Sequence, residues 1–218
     1  MRSVYIGVIL MTTILFDVDG VLVHGYHAKP EFQKCWDEDL EADFNIKRSD
    51  FKNLFIHGPF VHQVLIGKKS LSEALQEVLP QIGYHDNPQH LIDYWMERDA
   101  NVNHELIAYV ETLSKCPGIK LFVATNQEHV RANYLMEEVG FKKYFTDIFY
   151  AARLGALKPD MRFYEEIERL HPEPKEEIIF FDDNQDVVDR AIKFGWEAHQ
   201  FDTPQDLFKS ERVRSLLQ

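Results

Sequence analysis

Cysteine is scarce in this chain. Only Cys35 and Cys116 occur among 218 residues, too few for a disulfide framework and too far apart for a Cys-x-x-Cys pair. They read as two reduced thiols in a reducing, cytoplasmic compartment. Positive charge is short as well: 24 Lys and Arg stand against 36 Asp and Glu, a formal net charge of −12 with a pI near 5.3. Non-specific nucleic-acid binding and adhesion to anionic membranes both need clustered Lys and Arg, so neither partner is expected. A bound metal cation suits the balance better. No apolar run reaches the ~20 residues that cross a bilayer. The run from Val4 to Phe16 follows Arg2, lacks the small-residue cleavage site of a signal peptide and stops at Asp17 and Asp19. Met11 precedes a good buried strand, Thr12 to Phe16, so residues 1–10 read as an over-extended start or a short appendage.

What the chain does have is apolar side chain, 45% of residues against 28% charged, enough for a sizeable core in one or two domains. Short apolar runs of strand length occur at Ile14 to Phe16, Ile119 to Ala124 and Ile178 to Phe181, with weaker ones at Phe145 to Tyr150 and Glu197 to Phe201. Amphipathic helical patterns lie among them, at His104 to Lys115, Glu128 to Val139, Asp160 to Leu170, Gln185 to Phe194 and Pro204 to Leu217. This alternation predicts an α/β fold, a Rossmann-like open parallel sheet with helices on both faces. The stretch after the first strand differs. Glu31 to Phe44, Ser49 to His57, Pro59 to Ile66, Ser70 to Leu79 and Pro88 to Arg98 all have helical patterns, and Ser70 with Glu73 forms a capping box. The chain therefore divides into a core at 1–26 and 100–218 and a small all-helical domain at 27–99, inserted after the first strand.

Ligands of an open parallel sheet sit outside the carboxyl ends of its strands, and this sequence puts its carboxylates there. The first strand runs into Asp17-Val18-Asp19-Gly20 and the fourth into Asp182-Asp183-Asn184, while the second ends in Thr125-Asn126. Lys158 stands before Pro159-Asp160 at the head of the helix preceding the fourth strand. Each element alone has an ordinary explanation, as a turn, a helix cap or a surface charge. Their joint occurrence in this order points to an active site. Two acidic pairs brought together repel, so they call for a cation, and hard oxygen donors without a Cys or His cluster favour Mg²⁺.

These motifs resemble those of the haloacid dehalogenase-like hydrolase superfamily. Phe16-Asp17-Val18-Asp19-Gly20-Val21-Leu22 is similar to its first motif, Thr125 to its second, Lys158 to its third and Asp182-Asp183 to its fourth, over Met11 to about Phe201. The helical insert resembles the small cap of that superfamily, and the pattern is most similar to small capped phosphatases of the glucose-1-phosphate phosphatase-like kind. The resemblance implies that Asp17 is a nucleophile forming an aspartyl-phosphate and Asp19 a general acid and base. It implies Mg²⁺ held by the Asp17 carboxylate, the Asp19 backbone carbonyl and Asp183, with Asp182 behind them. Asp183 is preferred over Asp182 because the family's ligand lies twelve residues before a helix-closing glycine, here Gly195. Thr125 and the backbone amide of Asn126 would bind phosphoryl oxygens, and Lys158 would offset the charge of Asp17 and of the phosphate.

Where the family often carries Asp or Asn four residues after the ligand, this chain has Val187, with Asp186 one place early, so Asp186 gains no role. His24 and His27 follow the first motif, where an imidazole could touch substrate, but with ten histidines in the chain their presence there is ordinary. Lys68 and Lys69 follow Gly67 and read as a solvated pair. Trp36, Tyr94 and Trp95 read as core of the insert. Asp19 argues against a haloalkanoate dehalogenase, which needs no acid for its halide and lacks an aspartate at that place. The expectation is a Mg²⁺-dependent phosphomonoester hydrolase taking a small phosphate ester such as a sugar phosphate. A sugar phosphomutase with the same motifs and a binding protein on the same fold are the alternatives, and oligomeric state is open.

Overall fold

The computed structural model describes residues 11–218; the segment 1–10, read above as an over-extended start or appendage, lies outside the described residues. Five strands form one parallel sheet: β1 Thr12–Phe16, β2 Ile119–Thr125, β3 Asp147–Tyr150, β4 Ile178–Asp182 and β5 Glu197–Gln200. Their order is β3-β2-β1-β4-β5, so β1 is central.

Burial on both faces explains the unbroken apolar runs. Side chains alternate across a strand, so Ile14 and Phe16 join one cluster while Leu15 joins the other. Against Ile14 and Phe16 pack α5 His104–Ser114, α6 His129–Glu137 and α10 Glu211–Leu217, through Leu106, Val110, Leu135 and Val213. Against Leu15 pack α7 Ala151–Leu154, α8 Met161–Leu170 and α9 Gln185–Phe194, through Leu154, Phe163, Ile167 and Val188. Gly195 closes α9 at φ +111°, the left-handed cap geometry that favours glycine.

Between β1 and α5 lie α1 Leu40–Phe44, α2 Arg48–Phe51, a wider helical stretch Lys52–Val64, α3 Leu71–Val78 and α4 Pro88–Arg98. They bury a cluster of their own around Phe51, Phe55, Leu75, Leu91 and Trp95. The Ser70 and Glu73 capping box opens α3 as read from the sequence. The two ends of this insert run side by side. Val23 bridges Val102 in antiparallel fashion, His24 N donates to Asn101 O at 2.7 Å and Asn103 N to Leu22 O at 2.9 Å.

Two helical expectations change. Glu31 to Phe44 is not one helix: a turn of 3₁₀ helix at Pro30–Phe32 and α1 flank an irregular stretch. Within that stretch Asp37 is buried against Arg48 at 2.7 Å, a tertiary tie that outweighs local propensity. Ser49 to His57 and Pro59 to Ile66 hold as two helical segments, separated by a kink where Gly58 leaves helical geometry at φ −110° and ψ −116°. Pro204 to Leu217 divides at Ser210, which is fully buried and caps α10.

Candidate active site

The register brings three strands to a common edge. Phe16 pairs with Val123 on one side and Phe181 on the other, so Asp17, Ala124 and Asp182 lie level. Asp17 N donates to Phe181 O at 2.9 Å, carrying the pairing one residue beyond β1. Lys158 ties the edge together: its Nζ donates to Asp17 Oδ1 at 2.8 Å, Asp182 Oδ2 at 2.6 Å and Ala124 O at 3.0 Å. The Asn126 side chain fixes the Lys158 backbone, accepting from its N–H at 2.8 Å and donating to its carbonyl at 3.1 Å.

Asp183 completes the carboxylate group. Its Oδ2 accepts from Ala28 N and lies 3.2 Å from His27 Nδ1. That nitrogen accepts from Lys29 N at 2.9 Å, and burial lowers the His27 pKa, so His27 stands beside Asp183 as a neutral ring rather than a counter-ion. Gly20 makes room for Asp183: its φ is +77°, and a Cβ there would lie 2.5 Å from Asp183 Oδ2.

Oxygen atoms of Asp17, Asp182 and Asp183 lie within 4.8 Å of one another, and all three residues are buried. Burial pushes Asp17 up to about 7, with the Asp182 and Asp19 charges adding and Lys158 opposing. Burial and the Asp17 charge push Asp183 up to about 7. Asp182 is also raised by burial, against the pull of Lys158. Three carboxylates face one ammonium, and two uncompensated charges are those of a single divalent cation. All donors are oxygens, the set that hard Mg²⁺ prefers. Because Asp182 is engaged by Lys158 and by Asn184 N at 2.9 Å, Asp17 and Asp183 are the carboxylates better placed to hold it.

These groups floor a cavity of about 530 Å³, in the range for a small-molecule site. Thr125 and Asn126 line it from the core, and Trp36, Phe60 and Trp95 wall it from the insert. Trp36 and Trp95 are stacked with centroids 4.5 Å apart, so residues read as insert core also face the cavity. His24 is exposed, Lys69 pairs with Glu77, Tyr94 donates to Asp43, and neither these three nor Lys68 reaches the cavity lining. Asp186 is exposed in the first turn of α9.

Asp19 keeps different company from the other carboxylates. Its Oδ1 accepts from Arg131 Nη2 at 2.9 Å, and its Oδ2 from Arg131 Nη1 at 3.0 Å and Gln127 Nε2 at 2.6 Å. Arg131, Gln127 and Asp99 line the cavity too, and sequence reasoning missed all three. One signal was available. Arg131 lies in the first turn of α6, where the helix dipole disfavours a cation. A local conflict of that kind points to a tertiary demand.

The haloacid dehalogenase-like hydrolase family model matches residues 11–195. The chain belongs to that family. No curated protein matches it. Among solved structures, this haloacid dehalogenase-like protein is similar to a predicted HAD-like family hydrolase from Porphyromonas gingivalis, at TM-score 0.72 and 20% identity over 96% of this chain and 99% of that one. It is similar to a HAD family enzyme from Bacteroides thetaiotaomicron in complex with magnesium and inorganic phosphate, at TM-score 0.69 and 14% identity over 87% and 93%. It is also similar to L-2-haloacid dehalogenase from Xanthobacter autotrophicus with chloropropionic acid covalently bound, at 0.61 and 16% over 96% and 85%. At these identities the likeness is one of fold. Among the described residues, no helix is long and apolar enough to cross a membrane.

Proposed function

We propose that this chain is a Mg²⁺-dependent phosphomonoester hydrolase for a small phosphorylated metabolite, working through an aspartyl-phosphate. The observation that carries the reading is the surplus of charge at the strand edge: Asp17, Asp182 and Asp183 crowd within 4.8 Å around Lys158 alone. A dehalogenase needs a nucleophilic carboxylate but not a second and third one requiring a metal. Magnesium, bound by Asp17, the Asp19 carbonyl and Asp183, would supply charge neutralisation at the phosphoryl oxygens.

The remaining chemistry belongs to side chains. Lys158 and Val18 N both donate to Asp17 Oδ1, which leaves Oδ2 for attack on phosphorus. As that bond forms, the ester P–O bond breaks, and its electron pair goes to the leaving oxygen, which takes a proton from Asp19. In the second step water gives a proton to Asp19 and attacks the phosphorus, and the Asp17 carboxylate is released. Thr125 and the Asn126 amide hold phosphoryl oxygens, and Lys158 offsets their charge. The insert acts as a cap that keeps bulk water and large substrates out. The cavity wall combines Trp36 and Phe60 with Lys34 and Lys52, which suits a body with both an apolar face and hydroxyl groups, such as a sugar phosphate.

The test is a panel of phosphate metabolites with and without Mg²⁺, for wild type and Asp17→Asn. Metal-dependent phosphate release by the wild type and none by the folded variant is expected. Turnover retained in Asp17→Asn refutes the mechanism, and transfer to a sugar acceptor in place of water makes the protein a mutase.

A further inference from the structure

A buried arginine joins the acid/base carboxylate to the insert. Arg131 grips both oxygens of Asp19 and, on its other side, reaches Asp99, with Nη1 3.1 Å from Asp99 Oδ2 and Nη2 donating to Asp99 O at 2.9 Å. Burial works against its charge, but Asp19 and Asp99 outweigh that and raise its pKa, so it is a permanent cation. Asp99 is the residue that ends α4, the last helix of the insert. Its Oδ2 also accepts from Trp95 Nε1 at 3.1 Å, and Trp95 walls the cavity. The linker leaves space for the arrangement at Gly25, where a Cβ would lie 2.8 Å from Asp99 Oδ1 and 3.4 Å from Asp19 Oδ1. Glu128 anchors the arginine's own backbone, accepting from Arg131 N at 2.6 Å.

We infer that Arg131 is a positioning residue for Asp19, and that its second anchor, Asp99, makes the aim of the acid/base depend on how the insert sits. The inference rests on the phosphatase reading. A carboxylate three residues beyond a strand end has free rotamers of its own. A planar two-pronged donor, itself held by Asp99, restricts Asp19 to one of them. Catalysis is sensitive to such restriction, because a misplaced acid no longer meets the leaving oxygen. Three elements, the first-motif turn, α6 and the end of α4, converge on this one guanidinium.

The discriminating measurement is leaving-group dependence. An alkyl phosphate needs its leaving oxygen protonated, whereas para-nitrophenolate departs without help. We compare kcat/KM for both esters in wild type, Arg131→Met, Arg131→Lys and Asp99→Asn, each with saturating Mg²⁺. Loss of general acid catalysis predicts a fall of about 10²-fold or more for the alkyl ester in Arg131→Met, with the aryl ester within about threefold. Arg131→Lys keeps the charge without the fork, and Asp99→Asn keeps the fork with a weaker anchor. Both give the same selective loss at smaller size, so the readout survives if Arg131→Met does not fold. In an Asp19→Asn background, Arg131→Met adds no further loss on the alkyl ester. Equal losses on the two esters, or losses that add in that background, make Arg131 merely structural and overturn the inference. A wild type that hydrolyses neither ester overturns the phosphatase reading along with it.

Discussion

Replacing Lys158 by Met tests the electrostatics of the site without reference to any substrate. Lys158 is 6% exposed and serves Asp17, Asp182 and Ala124 O together. Methionine keeps much of its stem and removes the cation, leaving two buried carboxyl groups unpaired. Breaking a buried pair on one side costs about 3–5 kcal/mol, which for a chain of this length lowers Tm by about 6–20 °C. The loss should depend on pH, and its sign follows from the pKa shifts. Asp17 already stands at about 7 against 3.8 for the free group, Asp182 is raised too, and Lys158 pulls both down, so its removal raises both further. A carboxyl raised in the folded state binds its proton more tightly there. Stability therefore falls as pH rises from the unfolded value through the folded one. The variant's deficit shrinks as pH falls through about 7, where Asp17 takes up its proton and needs no cation, and grows as pH rises above that value. Urea unfolding of both proteins in chelator, on both sides of that value, measures it. A deficit that is constant, or larger in acid, refutes the reasoning.

Two further outcomes follow from the same edge of the sheet. Gly20→Ala forces a side chain into φ +77° and against Asp183, costing about 1–2 kcal/mol from the backbone alone. Displacing Asp183 should also weaken Mg²⁺ binding about tenfold or more in calorimetry, and an unchanged Kd would show that Asp183 does not hold the metal. Asp17 and Asp183 both stand at about 7, so Mg²⁺ binding must release protons and weaken as pH falls below that value. Calorimetry in two buffers of different ionisation enthalpy counts those protons, and their absence at neutral pH contradicts the raised pKa values.

Much of the site was legible because a parallel sheet converts sequence order into position. Once β1, β2 and β4 were recognised as buried runs, their next residues, Asp17, Thr125 and Asp182-Asp183, had to gather at one edge. Lys158 was legible as a lysine at a helix start, but its role came only through family resemblance, since nothing local sends a lysine into a core. Arg131 was illegible for a related reason: its partners Asp19 and Asp99 are distant in sequence, and only its awkward place in the first turn of α6 hinted at them. The insert was the hardest part to parse. Its composition announced helices, but where they break is set by long-range ties such as Asp37 to Arg48, just as the burial of Ser210 divides the last helical stretch of the core.

The pairing of Leu22 to His24 with Asn101 to Asn103 has a consequence for chain entropy. The ends of the inserted segment are clamped within hydrogen-bonding distance, so the core meets it as it would meet the two arms of a hairpin. Closing a longer loop at such a neck is cheap, about 0.6 kcal/mol for each doubling of length. The inserted sequence can therefore lengthen, shorten or be exchanged while β1 keeps its register with β2 and β4, and with it the spacing of Asp17 and Asp182. The carboxylate-bearing edge of the sheet and the aromatic wall of the cavity are thus placed on separately variable stretches of one polypeptide, joined at a neck a few residues long.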